Sequence, residues 1–138
     1  MGAWGTGSWE NDAALDWLEA DLEDEDSIRE ALEALFAALD DGFAEVDVCN
    51  AAIAAAELVA ALRGAPGQDL PPRARVWVLG EGDGVPDDLV SMAIEAVRAI
   101  DASSELQELF DEDERNEPWH RVMADLIGRL RFAPPAEA

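Results

Sequence analysis

The stretch Asp47-Val-Cys-Asn-Ala-Ala-Ile-Ala-Ala-Ala-Glu-Leu-Val-Ala-Ala-Leu-Arg63 decides the fold. It reads as one helix that is apolar nearly all round: Val48, Cys49, Ile53, Leu58, Val59, Leu62 and seven alanines. A helix without a polar face packs on several sides, so this one is expected at the centre of the molecule. Alanine is the best helix former, and its small side chain lets neighbouring helices approach closely. Gly64 supplies the stop. Glu57 interrupts the apolar surface. A carboxylate placed there must find donors or sit at an interface edge, because burying it unpaired is expensive.

Working outward, the flanking segments are also helical. Asn11 or Asp12 can cap a first helix, in which Leu15, Trp17, Leu18 and Leu22 form the apolar stripe. The run Glu23-Asp-Glu-Asp26 should break it, since like charges repel. Ser27-Ile-Arg-Glu30 fits a capping box and opens a second helix, with Ile28, Leu32, Leu35, Phe36 and Leu39 at helical spacing. Gly42 ends it. Residues 65–72 form a Gly- and Pro-containing loop. Residues 73–79 are ambiguous; with no second strand-like run to pair with, they read as a short helix or an extended connector. Pro86 opens a helix through Leu89, Val90, Ala93, Ile94, Val97 and Ile100. Ser103 or Ser104 caps a short one carrying Leu106, Leu109 and Phe110. Pro118 opens the last, which runs to about Arg131. The expectation is an all-α, single compact domain of five to seven helices over residues 1–133, with a loose tail at 134–138.

The N-terminal stretch Met1-Gly-Ala-Trp-Gly-Thr-Gly-Ser-Trp-Glu-Asn-Asp12 places large rings beside glycines. It is expected to fold back as a packed plug, the glycines permitting tight backbone paths. Trp4, Gly5, Gly7, Trp9, Asn11, Trp17, Glu57 and Trp119 are accordingly read as structural residues, with Trp4, Trp9, Trp17 and Glu57 largely buried. The amides of the glycine turn would bond an inward carboxylate, Glu57 or Asp16.

The net charge is −23, and all nine basic residues are arginine. Such a surface repels nucleic acid and anionic membranes and suits a basic protein partner. A proteome rich in Ala, Arg, Asp and Glu would also produce it. A single cysteine, Cys49, rules out an internal disulfide framework and reads as a small buried hydrophobe. No signal-peptide pattern and no apolar run of membrane-spanning length is evident, so the expected location is the cytoplasm.

Candidate chemistry is sparse. His120 is the only histidine. Any Ser-His or Cys-His site must use it, yet no nucleophile motif accompanies it. It equally suits a surface or interface position. One His and one Cys cannot supply a usual zinc site. Asp12 and Asp16, four apart on one helical face with Glu10 and Asn11 nearby, are the candidate Mg²⁺ or Ca²⁺ ligands. Read structurally, Asn11 or Asp12 is a cap and Asp16 is solvated. Asp111-x-Asp113 lacks the glycine of an EF-hand loop, and Gly5-x-Gly7 lacks the strand and lysine of a phosphate-binding loop.

The residues from Met1 to Trp17 resemble the N-terminal signature of a bacterial family of unknown function, domain of unknown function 4259. Its members read Met-Gly-Ala-Trp-Gly-x-Gly, an aromatic, then an acidic Asn-Asp stretch ending in Asp-Trp or Asp-Phe. The helix containing Glu57, Ser104-Glu-Leu-Gln-Glu-Leu109 and the helix from Trp119 to Leu130 are similar too. Trp9 stands where Phe is commoner, and Phe110 where Trp is commoner. The resemblance implies a small, mostly helical bacterial protein and no particular activity or cofactor. Immunity proteins are often of this size and acidity, which is an analogy of composition. The leading functional expectation is therefore a non-enzymatic acidic interaction protein, of immunity or inhibitory type, for a basic partner. The alternatives are a metal-dependent enzyme using Asp12, Asp16, Glu57 and His120, and a structural or oligomerisation module.

Overall fold

The structure, a computed structural model, describes residues 7–81, 85–102, 112 and 116–131. Trp4, Gly5, the helix expected after Ser103 or Ser104, and the tail at 134–138 lie outside them. Among the described residues every regular element is helical. The order is α1 (Asp12–Asp16), a π-helical turn (Trp17–Asp21), α2 (Glu25–Asp40), α3 (Val46–Leu62), α4 (Pro72–Glu81), α5 (Asp87–Ala102) and α6 (Asn116–Leu130).

The apolar helix read from the sequence is α3, and it packs against every other described element. Twelve of its residues are buried, from Cys49 to Ala61. The opposing surfaces come from amphipathic helices: Ile28, Leu32 and Leu35 on α2, Leu89, Val97 and Ile100 on α5, Met123, Leu126 and Leu130 on α6. Alanines along α3 leave room for these larger side chains, which is how a chain poor in large hydrophobes fills its interior. Cys49 is fully buried, with its Sγ 3.7 Å from the Ala44 carbonyl.

Helix ends follow local chemistry, with some differences from the sequence reading. Asn11 is the N-cap of α1: its Oδ1 accepts from the Ala14 amide at 2.7 Å, and its Nδ2 donates to the Ser8 carbonyl at 3.2 Å. The acidic run at 23–26 separates α1 from α2, but it also starts α2. Asp24 is the cap, accepting from the Ser27 amide, and Ser27 reaches back to the Asp24 amide as the other half of the box. The sequence reading put Ser27 at the cap itself. Carboxylates suit the positive end of a helix, so Glu25 and Asp26 fit in the first turn. The last helix begins two residues before Pro118, which is tolerated because first-turn amides need no helical partner. Gly42 and Gly64 take φ of +115° and +97°, ending α2 and α3. The Ala65 amide closes back on the Ala60 carbonyl at 2.9 Å.

The ambiguous segment is helix α4. Ala74, Trp77 and Val78 turn inward at helical spacing, while Val76 and Leu79 are exposed. Its longer side chains tie it down through backbone carbonyls: Arg73 Nε to Leu18 O at 3.1 Å, Arg75 Nε to Leu70 O at 3.1 Å and Trp77 Nε1 to Glu23 O at 3.4 Å. No described helix is long and apolar enough to cross a membrane.

Candidate functional site

Glu57 is the one buried carboxylate on α3, only 2% exposed; Asn50, 5% exposed, is the helix's other buried polar residue. The mid-helix position of Glu57 points it between the N-terminal segment and α6. Arg129 Nη1 donates to Oε1 at 2.8 Å and Nη2 donates to Oε2 at 3.1 Å, a two-pronged clasp. Ser8 Oγ donates to Oε2 at 2.7 Å. Arg129 is held in turn by Asp125, whose Oδ2 accepts from Nε at 2.7 Å, and by the Ala65 carbonyl at 3.4 Å. Burial alone would lower the Arg129 pKa, but the hydrogen bonds and charges of Glu57 and Asp125 outweigh it and hold the pKa above its ordinary value. The guanidinium stays charged, and the buried carboxylate is neutralised by it.

The sequence expectation gives the glycine-turn amides to Glu57 or Asp16; Gly2 and Gly5 lie outside the described residues. Among the described residues the Gly7 amide donates to Glu10 Oε1 at 2.9 Å, and Glu57 receives a hydroxyl and a guanidinium. A backbone amide in a tight turn is already served by the nearest carboxylate, so a more distant one needs a longer donor. Glycine matters here in another way. A Cβ on Gly67 would lie 3.2 Å from Glu57 Oε1 and 3.4 Å from Arg129 Nη1, so this loop approaches the pair closely because it lacks a side chain. Beside the pair opens a cleft of about 660 Å³, lined among others by Ser8, Gly67, Asp69, Arg121, Asp125 and Arg129. Its charges are largely matched internally, Arg121 to Glu117 at 2.9 Å and Arg129 as above.

The remaining sequence candidates fall elsewhere. Asp12 and Asp16 are exposed on α1. Among the described residues, no three His, Cys, Asp or Glu side chains converge on a possible metal position. His120 bonds through Nδ1 to Asp101 Oδ1 at the end of α5, and its ring meets Trp119 edge-on with centroids 4.8 Å apart. It therefore joins α5 to α6 and is not part of the Glu57 pair. Trp9, Trp17 and Trp119 are buried, at 5%, 6% and 2% exposure. Two residues at the Glu57 pair were not foreseen. Ser8 carried no signal beyond its place in the glycine-rich segment. Arg129 had one: it lies three residues after the inward Leu126, where a core helix would ordinarily carry an apolar residue.

The carboxylates are unevenly distributed. Residues 10–47 hold fifteen of the 32, against a single basic side chain, Arg29. On α1, the π-helical turn and α2, Asp12, Asp16, Glu19, Asp21, Glu30 and Glu33 are all exposed. Arg29 does little to offset them, because it turns to α5 and bonds Asp88 Oδ2 at 3.0 Å, with Glu25 at 3.8 Å. The outer surface of these elements is strongly negative.

The described residues thus define an all-α protein with a buried Glu57–Arg129 pair and an acidic surface on α1, the π-helical turn and α2. The family model described as Domain of unknown function (DUF4259) matches residues 2–122, and the chain belongs to that family. The matched region contains Ser8 and Glu57 and stops short of Arg129. Comparison with curated proteins and with solved structures returned no match.

Proposed function

We propose that the protein is a non-enzymatic interaction protein that binds a basic protein through the acidic flank formed by α1, the π-helical turn and α2. The observation that carries this reading is the charge distribution: fifteen carboxylates and one arginine within residues 10–47, the arginine directed to Asp88. A field of one sign on one flank raises the encounter rate with an oppositely charged partner and rejects polyanions. The buried Glu57 supports the reading from the other side, since its Arg129 and Ser8 partners occupy both oxygens and leave it as a strut between elements. An inhibitory or immunity-type role against a basic protein is compatible with such a surface.

The test is binding of fluorescent octa-arginine across a salt series. Screening shortens the Debye length from about 10 Å at 0.1 M to about 3 Å at 1 M, so affinity should fall steadily as salt rises. Affinity that is absent at low salt, or indifferent to salt, would refute the reading.

A further inference from the structure

The geometry points to a groove between the π-helical turn, α2 and α3 as the anchor site for a single arginine or lysine side chain of the basic partner. This inference rests on the interaction reading above and gives it a place. Among the described residues, a concavity of about 320 Å³ lies on the acidic flank. It is lined by the short apolar side chains Ala31, Ala34 and Ala51, by Val48 and the edge of the buried Trp17, and by the polar Ser27, Asp21 and Glu30. Ala34, Asp21 and Glu30 are the exposed members of the lining.

That combination matches one ligand chemistry. A long cationic side chain has an apolar stem and a charged head, and it buries the first while keeping the second in a polar setting. The apolar part of the lining receives the stem. The exposed carboxylates Asp21 and Glu30 receive the head. Asp21 and Glu30 would repel an anionic side chain and add nothing to the binding of a purely apolar one. Trp17 and Asp21 are the first and last residues of the π-helical turn. Such turns are rare and occur disproportionately at functional sites. Here the turn contributes its first and last residues, Trp17 and Asp21, to the lining of the groove.

The test uses the whole protein, labelled with ¹⁵N and titrated with blocked arginine (acetyl-arginine methylamide), with blocked citrulline as the uncharged counterpart. Saturating shifts are expected at the Trp17 indole and at the amides of Ala31, Ala34, Val48 and Ala51, and none with citrulline. Ala34→Leu fills the groove without altering charge, at an exposed helical position where leucine is well tolerated. It should weaken octa-arginine binding by about tenfold, measured in about 0.15 M salt. Glu30→Gln should weaken it too. Shifts spread over the flank without saturation, together with unchanged octa-arginine binding by Ala34→Leu, would overturn the groove and leave the acidic-flank reading standing. Saturation at the groove with no binding of octa-arginine would do the reverse.

Discussion

Arg129→Met isolates what the Glu57–Arg129 pair contributes. Methionine keeps the apolar stem of the side chain and removes its three donor nitrogens. Glu57, 2% exposed, is then left with Ser8 Oγ as its remaining donor from this cluster. Removing one partner of a buried ion pair costs about 3–5 kcal/mol, because the other charge stays desolvated. The surviving serine bond and the partial exposure of Arg129, 17%, place the expected loss near the low end, about 3 kcal/mol. At about 2.1 cal/mol/K per residue, the 138-residue chain unfolds with an entropy near 0.29 kcal/mol/K, so Tm should fall by about 10 °C. Urea denaturation and a thermal melt would measure both quantities. The double variant Glu57→Met, Arg129→Met removes the stranded charge and should recover most of the loss, since well-packed apolar replacements of buried pairs are often neutral. A normal Tm for Arg129→Met, or a double variant as unstable as the sum of the two single variants, would refute the reasoning.

Three further outcomes are expected. Asn11→Ala removes the α1 cap and strands the Ala14 amide, and should cost about 1–2 kcal/mol in urea denaturation. Ala55→Leu forces extra methylenes into a fully buried position on α3 and should cost about 1–3 kcal/mol or more, read in the same way. Because net charge −23 strains the compact state by self-repulsion, Tm should rise with added salt, with Mg²⁺ and Na⁺ acting alike at equal ionic strength. A saturable rise specific to one divalent ion and lost in Asp16→Asn would instead restore a metal site at Asp12 and Asp16.

The fold was legible because its central element is extreme in composition. No arrangement except a surrounded helix suits the residues from Val48 to Leu62, and the amphipathic stripes on either side state which faces meet it. Helix starts were less legible where several cap-forming residues adjoin. Asp24 and Ser27 both fit the cap of α2, and the choice turns on the acidic first turn, a preference spread over several residues. Residues 73–79 were ambiguous because α4 is tied down by Arg73 and Trp77 reaching the distant carbonyls of Leu18 and Glu23, which periodicity does not encode. At the site, Glu57 announced itself as a polar residue on an apolar helix. Its partner Arg129 lies 72 residues away. Spacing along the chain cannot pair two residues that only tertiary packing brings together. The groove was invisible for the same reason, since three separate elements build it.

A particular flank, and not net charge alone, is what we propose recognises a basic protein. The most direct measurement compares two triple variants with equal net charge for octa-arginine binding in about 0.15 M salt. One is Asp16→Asn, Glu19→Gln, Glu30→Gln on the flank; the other is Asp69→Asn, Glu95→Gln, Glu117→Gln, all exposed and outside α1, the π-helical turn and α2. The account predicts that the first loses most of its affinity and the second keeps it. Equal losses in both would contradict it, because binding would then follow total charge wherever it lies.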